Sequence, residues 1–555
     1  MIRTANLPDR YGQFLSRMER EWILSRIWAH DFTVWKPNPT EITNRLGWLH
    51  APFSMMRAVD RITAFANDVR ASGFKHVVLL GMGGSSLAPE TFARTFGAAP
   101  GWPNLSILDS THPVAIAETE RQLDLSHTLF VVATKSGTTT ETLSLFRYFH
   151  NRALEKKQAQ PGAQFVAITD PGSPLVELAA HHGFRKTFLN DPDIGGRYAA
   201  LSLFGLVPAA LLGIDISRFL TRSQKTSIEC AKYDRLTENP AVRLGAILAA
   251  CAIAGRDKLT FVLPPEIVSF GNWVEQLIAE STGKEGTGIL PIVGEPIGPP
   301  GIYSDDRLFV SFSLRGNRSA ADVTAELERV GHPVIHIEMD EIYSLGGQFF
   351  LWELATALAA SVLGINPFDQ PNVDSAKRLA LEQIAAFRQT GELPASGSSP
   401  LTSSTLTEFL SPSQPGDYIA LQAYLPPGDH LNEVFASLRA VLRDRFGVAT
   451  TFGYGPRFLH STGQLHKGDR GNGRFIQFVA VPGDDLRIPD EPGASVSSLT
   501  FGALISAQAR GDRQALLDAG RSVATFTVPV DPTELIHQTA GSIAAEGGRS
   551  WTSAS

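Results

Sequence analysis

Only two cysteines, Cys230 and Cys251, occur in the 555 residues. That is too few for a disulfide framework, and both are expected to pack as free thiols in helices of a protein in a reducing compartment. A basic excess is missing too. The 49 Lys and Arg stand against 56 Asp and Glu, a formal net charge of −7, so nothing is left over to neutralise a nucleic-acid backbone, although one local phosphate site remains compatible with this balance. No uninterrupted apolar run reaches membrane length, since the longest, 349–364, is broken by Glu353. The opening MIRTANLPDRYGQ carries no apolar core of signal-peptide length. These absences predict a cytoplasmic protein without nucleic-acid or membrane partners. Metal signatures are lacking as well: there is no HExxH, and the His181–His182 doublet would point its rings to different faces of any helix. Neither a metal nor an organic cofactor is expected.

What is present is the composition of a globular chain, 43% hydrophobic and 19% charged. The length exceeds one compact core and suggests about three domains. Residues 1–58 read as mixed helix around the Pro-rich loop WKPNPTEI. The pattern then changes. KHVVLLGMGG (75–84), LSILDS (105–110), TLFVVATKSG (128–137) and QFVAITD (164–170) each join an apolar strand to a polar or glycine loop and then a helix. KLTFVLP (258–264), RLFVSFS (307–313) and HPVIHIEM (332–339) repeat it, ending in a long helix over about 347–363. Apolar strands alternating with helices predict parallel sheets covered on both faces. The fold expected is α/β, with two doubly wound parallel-sheet lobes at 59–215 and 216–390. A Ser/Thr/Pro/Gly-rich linker at 391–416 then leads to a smaller C-terminal α/β domain at 417–555.

Two loops of the first lobe have the chemistry of an anion site. In GMGGSSLAP (81–89), Gly84 allows close backbone approach, and Ser85 and Ser86 add hydroxyls near a helix start. Its spacing fits neither the dinucleotide fingerprint nor the Walker loop, and a glycine turn with a serine cap would account for it alone. ATKSGTTTET (133–142) changes the balance. Thr134, Ser136 and Thr139 crowd more hydroxyls around one turn than a cap requires, and Lys135 lies among them, as an added charge or a surface lysine. Both loops fall at carboxyl ends of parallel strands, where ligands bind. The pair is similar to the phosphosugar-binding loops of sugar isomerase (SIS) domains.

Three more segments follow in order: DIGGRYAALSLFGL (193–206), WVEQLIAESTGKEG (273–286) and FDQPNVDSAK (368–377). With the two loops they resemble the phosphoglucose isomerase family over residues 60–390. The domain beyond makes the chain most similar to the isomerase half of bifunctional transaldolase/phosphoglucose isomerase proteins; no transaldolase domain is seen ahead of it, and that second activity is not expected. The resemblance implies aldose–ketose isomerisation of glucose 6-phosphate and fructose 6-phosphate through an enediolate, without metal or cofactor. On that reading Glu280 is the base that moves a proton between C1 and C2, and Arg197 steadies the enediolate charge. Gln276 and Gln370 contact the sugar, and Lys377 contributes to ring opening. A solvated helix face would equally suit Lys377, and an i,i+4 pair with Lys284 would suit Glu280.

The chain departs from the family at Asn372 and Asp374, where Gly and Glu are usual. The family's Gly-Gln-His segment is not recognisable, and His332 and His336 in that interval sit in a strand-like apolar run. In the family that histidine comes from the partner subunit of a dimer, and a homodimer remains open here. GYGPRFLHSTGQLHKG (453–468) offers His466, or with less support His460, from the third domain; Asp306 in GIYSDDR is a rival. A non-catalytic phosphosugar-binding protein, or an isomerase of a related hexose phosphate, are the alternatives.

Overall fold

The computed structural model describes residues 2–156, 160–317, 319–393, 397–480 and 483–546. Seventeen strands are present in these segments: β1 (Ile2–Ala5), β2 (His76–Gly81), β3 (Asn104–Leu108), β4 (Thr128–Ala133), β5 (Phe165–Thr169), β6 (Lys186–Leu189), β7 (Lys258–Val262), β8 (Leu290–Ile292), β9 (Arg307–Leu314), β10 (Val334–Met339), β11 (Ser399–Pro400), β12 (Tyr418–Tyr424), β13 (Ala449–Tyr454), β14 (Gly473–Ala480), β15 (Arg487–Ile488), β16 (Leu499–Thr500) and β17 (Ser522–Val528).

They form three five-stranded sheets and a small ribbon. The first lobe has the parallel order β3-β2-β4-β5-β6. In the second, β10-β9-β7-β8 are parallel and β1 adds antiparallel at the edge, Ile2 opposite Ile337. The opening residues are therefore a strand as well as helix, completing a sheet whose other strands lie far along the chain. The third sheet, β11-β17-β14-β12-β13, is parallel throughout.

The linker expected at 391–416 is corrected in part. Ser399–Pro400 pairs with β17, and Ser403–Leu410 is a helix opened by a capping box at Thr402 and Thr405. Leu401, Leu406 and Leu410 are buried in the third domain's core, so hydrophobic burial overrides the loop-like composition. Residues 394–396 of that stretch, and 547–555 of the C-terminal domain, lie outside the described residues.

One apolar core joins the first two lobes. The helix Leu345–Leu363 runs through it beside the helices Pro240–Ile253 and Ile216–Cys230. With its leading turn (Ile342–Leu363) this segment is long and apolar enough to cross a membrane, but 94% of that window is buried inside the protein. A helix buried on every side, apolar but for residues such as the buried Glu353, fits the centre of a two-lobed core. Cys230 and Cys251 are buried free thiols on two neighbouring helices.

Candidate active site

The carboxyl ends of the first sheet, the end of the helix Phe270–Thr282 and a turn of the third domain enclose one pocket of about 500 Å³. Gly84, Ser85, Thr134, Lys135, Ser136, Thr139, Arg197, Gln276, Glu280, Gln370 and Lys377 all border it. Close packing of loops explains the glycines. A Cβ on Gly84 would stand 2.0 Å from the carbonyl oxygen of Gly196, and one on Gly83 would stand 2.7 Å from that of His460. The GMGG and GGR loops thus touch backbone to backbone.

At one end of the pocket the hydroxyls gather. Thr134 and Thr139 share a hydrogen bond of 2.7 Å, and Ser136 bonds Thr138 at 2.9 Å. Lys135 is less free than the sequence suggests: its Nζ is held by the Asp170 carboxylate and donates to the Pro192 carbonyl at 2.8 Å. Burial nonetheless raises the Asp170 pKa against the pull of Lys135. A second cation at this end, Arg45, comes from the N-terminal segment, which sequence reasoning left out of the site.

At the other end Glu280 and Arg197 meet. Both are buried, with Glu280 Oε2 3.3 Å from Arg197 Nη1. Arg197 spends its remaining donors on Ser281 Oγ (3.0 Å), Gln370 Oε1 (3.0 Å) and the carbonyls of Pro367 and Asp369 (2.7 and 2.8 Å), which fixes the guanidinium. Lys284 pins the same loop through Asp369 Oδ1 at 2.7 Å; burial pushes its pKa down to about 8, helped by Arg197. Gln276 donates to Glu280 Oε2 (3.2 Å) and to the His460 carbonyl (2.7 Å), while its own Oε1 is buried without a protein partner. A buried orphan acceptor in a pocket suits a ligand hydroxyl. Lys377 borders the pocket with its side chain 56% exposed, 3.9 Å from Asp374.

Three sequence candidates are corrected. Ser86 does not border the pocket; its hydroxyl donates to Asp109 Oδ2 at 3.1 Å and to the Gly83 carbonyl. Asp109 and Glu90 receive Arg457 of the third domain, at 3.3 Å and by a two-pronged contact respectively. Burial works against the charge of Glu90, and Arg457 with Asn272 and Arg94 more than offsets it, whereas for Asp109 burial wins and its pKa is raised. Asp306 is buried beside Lys258 and Arg307, away from the pocket.

His466 is the third. On the short helix Gly463–Gly468, Gln464 faces the lobes, donating to the Gly283 carbonyl (2.9 Å) and to Asn372 Oδ1 (2.7 Å). Two positions on is about 200° round a helix, so His466 turns inward between Tyr418, Phe458 and Phe475. Burial holds its pKa well below the usual value. His460 is the histidine that borders the pocket, its Nε2 2.9 Å from Glu141 Oε1. An ionised carboxylate only accepts, so Nε2 donates and neutral His460 keeps its lone pair on Nδ1. Glu141 went unselected in the sequence because an acidic residue in the first turn of a helix is ordinary.

Two lobes of this topology, with hydroxyl loops and a carboxylate–guanidinium pair in one pocket, define a protein of the sugar isomerase fold class. The family model described as phosphoglucose isomerase matches residues 54–287. A probable glucose-6-phosphate isomerase of Methanococcus maripaludis is 27% identical over 364 residues, covering 58% of this chain and 81% of that protein. The glucose-6-phosphate isomerase of Heliobacterium modesticaldum is 29% identical over 385 residues, covering 60% and 85%. Among solved structures, a hypothetical protein from Thermus thermophilus matches with a TM-score of 0.60 at 23% identity, over 69% of this chain and 100% of that one. A glucose-6-phosphate isomerase from Chlamydia trachomatis gives 0.58 at 18% identity, over 70% and 88%; these two likenesses bear on the fold. Over residues 54–287 the chain is thus similar to the phosphoglucose isomerase family.

Proposed function

We propose that this protein is an aldose–ketose isomerase that interconverts glucose 6-phosphate and fructose 6-phosphate. One observation carries the reading: a buried carboxylate and a fully anchored guanidinium lie 3.3 Å apart in a pocket whose far end is lined with hydroxyls. Moving the proton between C1 and C2 needs a base beside the carbonyl, and Glu280 has that place. Negative charge then develops on an enediolate, and Arg197 is already fixed by four other acceptors, so little reorganisation is needed to meet it. Ser85, Thr134, Ser136 and Thr139 hold the phosphate, and the orphan Oε1 of Gln276 receives a sugar hydroxyl.

Ring opening is assigned to His460, with Lys377 nearby. The Nδ1 lone pair can take the proton of the anomeric hydroxyl and pass it to the ring oxygen as the ring C–O bond breaks, while Glu141 steadies the imidazolium. Because His460 belongs to the same chain as Glu280, the pocket needs no partner subunit for this step. The setting in the cell is taken as the cytoplasm, on the reduced cysteines. A non-catalytic phosphosugar binder would have no use for the Glu280–Arg197 pair. The test is a coupled assay on the purified full-length chain with glucose 6-phosphate, fructose 6-phosphate and mannose 6-phosphate. Turnover of the first two is expected; turnover of mannose 6-phosphate alone would reassign the substrate, and tight binding without turnover would favour the binder.

A further inference from the structure

The Glu141 carboxylate has a second donor besides His460. Its Oε1 accepts from the side-chain amide of Gln508 at 2.7 Å, and Gln508 lies on the third-domain helix Phe501–Asp518. The amide is itself held, since its Oε1 accepts from the Thr111 hydroxyl of the first lobe at 2.9 Å. Glu141, Gln508 and Thr111 are all buried. We infer that Gln508 is a positioning residue for ring opening, keeping Glu141 ionised and aimed at His460. This rests on the assignment of ring opening to His460. It means the third domain reaches the reaction through two separate elements, the turn at 457–460 and the helix behind it.

The chemistry of the site favours an amide. Burial raises the pKa of Glu141, and its interaction with His460, its backbone hydrogen bond and Lys377 together more than offset it, leaving the carboxyl below the ordinary range. Gln508, which faces the carboxylate, and Thr111 behind it are neutral. A hydrogen bond to the charged form favours that form. A lysine at 508 would do the same but would compete with the imidazole for the carboxylate, and a glutamate would share its proton. The carboxylate cannot donate, so the amide NH2 must face Glu141 and the amide oxygen must face Thr111. The orientation of Gln508 is fixed from both sides.

The experiment is the pH profile of kcat/KM for Gln508→Met and Thr111→Val, with fructose 6-phosphate and with 5-deoxyfructose 6-phosphate, which cannot close a furanose ring. Gln508→Met is expected to lower kcat/KM about 10-fold on the cyclic substrate. It should also move the acid limb to higher pH, because Glu141 now protonates earlier, while leaving the open-chain substrate and KM nearly unchanged. Thr111→Val should shift the limb the same way by less, and it serves as the test should Gln508→Met not fold. In a His460→Ala background neither change should have a further effect. An unmoved acid limb, or equal losses on both substrates, would overturn the role of Gln508. If His460→Ala itself spared the cyclic substrate, the ring-opening assignment would fail first, and the two failures are thereby told apart.

Discussion

The first lobe and the third domain have sheets of the same size and the same parallel sense, yet their interiors differ. In the first lobe β2, β4 and β5 are apolar along nearly their whole length, from Val77–Leu80 to Val131–Ala133 and Phe165–Ile168. The third sheet is apolar on one face, where Ile419, Leu421 and Ala423 meet Phe435 and Leu438. Its other face, toward the lobes, carries a polar layer. Gln422 and Gln477 are register partners, Gln477 bonds Asp512, and Asp512 pairs with Lys467 at 2.6 Å, all buried. His466 belongs to this layer, its Nδ1 3.4 Å from the Gln422 amide. The first lobe therefore sets its polar loops over an apolar core, while the third domain keeps a hydrogen-bonded polar layer inside it.

The largest effect should come from the lobes. Glu280→Gln removes only the proton transfer, and loss of a sole base is expected to cost kcat about 10⁴-fold, with KM nearly unchanged. A variant retaining near-normal kcat on either substrate would place the base elsewhere.

Next is the contrast between two histidines of one segment. His460→Ala should lower kcat/KM for the cyclic substrate about 10²-fold and spare an open-chain one. His466→Gln should do the reverse of a catalytic variant, lowering thermal stability of the third domain while leaving substrate discrimination intact. Equal losses from both on cyclic substrate would erase the division between the imidazole presented and the imidazole packed.

A smaller contrast lies inside the first lobe. Ser85→Ala should raise KM about 10-fold or more, as a hydrogen bond to a charged group is worth about 1.5–3 kcal/mol. Ser86→Ala should leave KM alone and instead loosen the Asp109–Arg457 anchor, read as faster amide exchange around Arg457. A KM effect at Ser86 would mean that the phosphate reaches deeper than the pocket's lining.

How much of this was legible follows the same division. Apolar strand, loop and helix recur in the first two lobes with the spacing that parallel sheets impose, so the lobes and the hydroxyl loops could be read directly. Glu280, Arg197 and Gln276 came from family motifs, and their meeting in space is a matter of tertiary structure. What escaped depended on a single helical rotation or on distant pairing. His466 and His460 share glycine-rich surroundings, and only the packing of Gln464 against Gly283 decides which ring faces the lobes. Ser85 and Ser86 are adjacent, and one turn of backbone separates pocket from anchor. Glu141 and Gln508 lie far apart in sequence, and nothing local marks either as a partner. β1 escaped because an edge strand of four residues has too short a pattern to be told from a helix end.

The smallest effect tests whether the first lobe, with its apolar core, is inert to acid. It buries two histidines, His112 and His150, whose pKa burial lowers to about 4 in each case. His112 needs to stay neutral, because its Nδ1 accepts the Val114 amide at 3.3 Å and caps the helix Pro113–Gln122. With the folded pKa below the unfolded one, the unfolded chain binds the proton first. Stability is thus lost as pH falls from about 6.5 toward 4, and His112 costs about 1 kcal/mol between pH 6.5 and 5.5. His112→Asn removes the titration and keeps a good capping oxygen. Hydrogen exchange of the Pro113–Gln122 amides should match wild type at pH 7 and become slower than wild type, relative to intrinsic rates, at pH 5.5. The third domain offers the counterpart in His466, whose Nε2 is buried without a partner; its neighbours should open over the same window without responding to His112→Asn. If that substitution protected both regions equally, the lobe and the domain would unfold in acid as one unit, and the contrast between their interiors would have no bearing on stability.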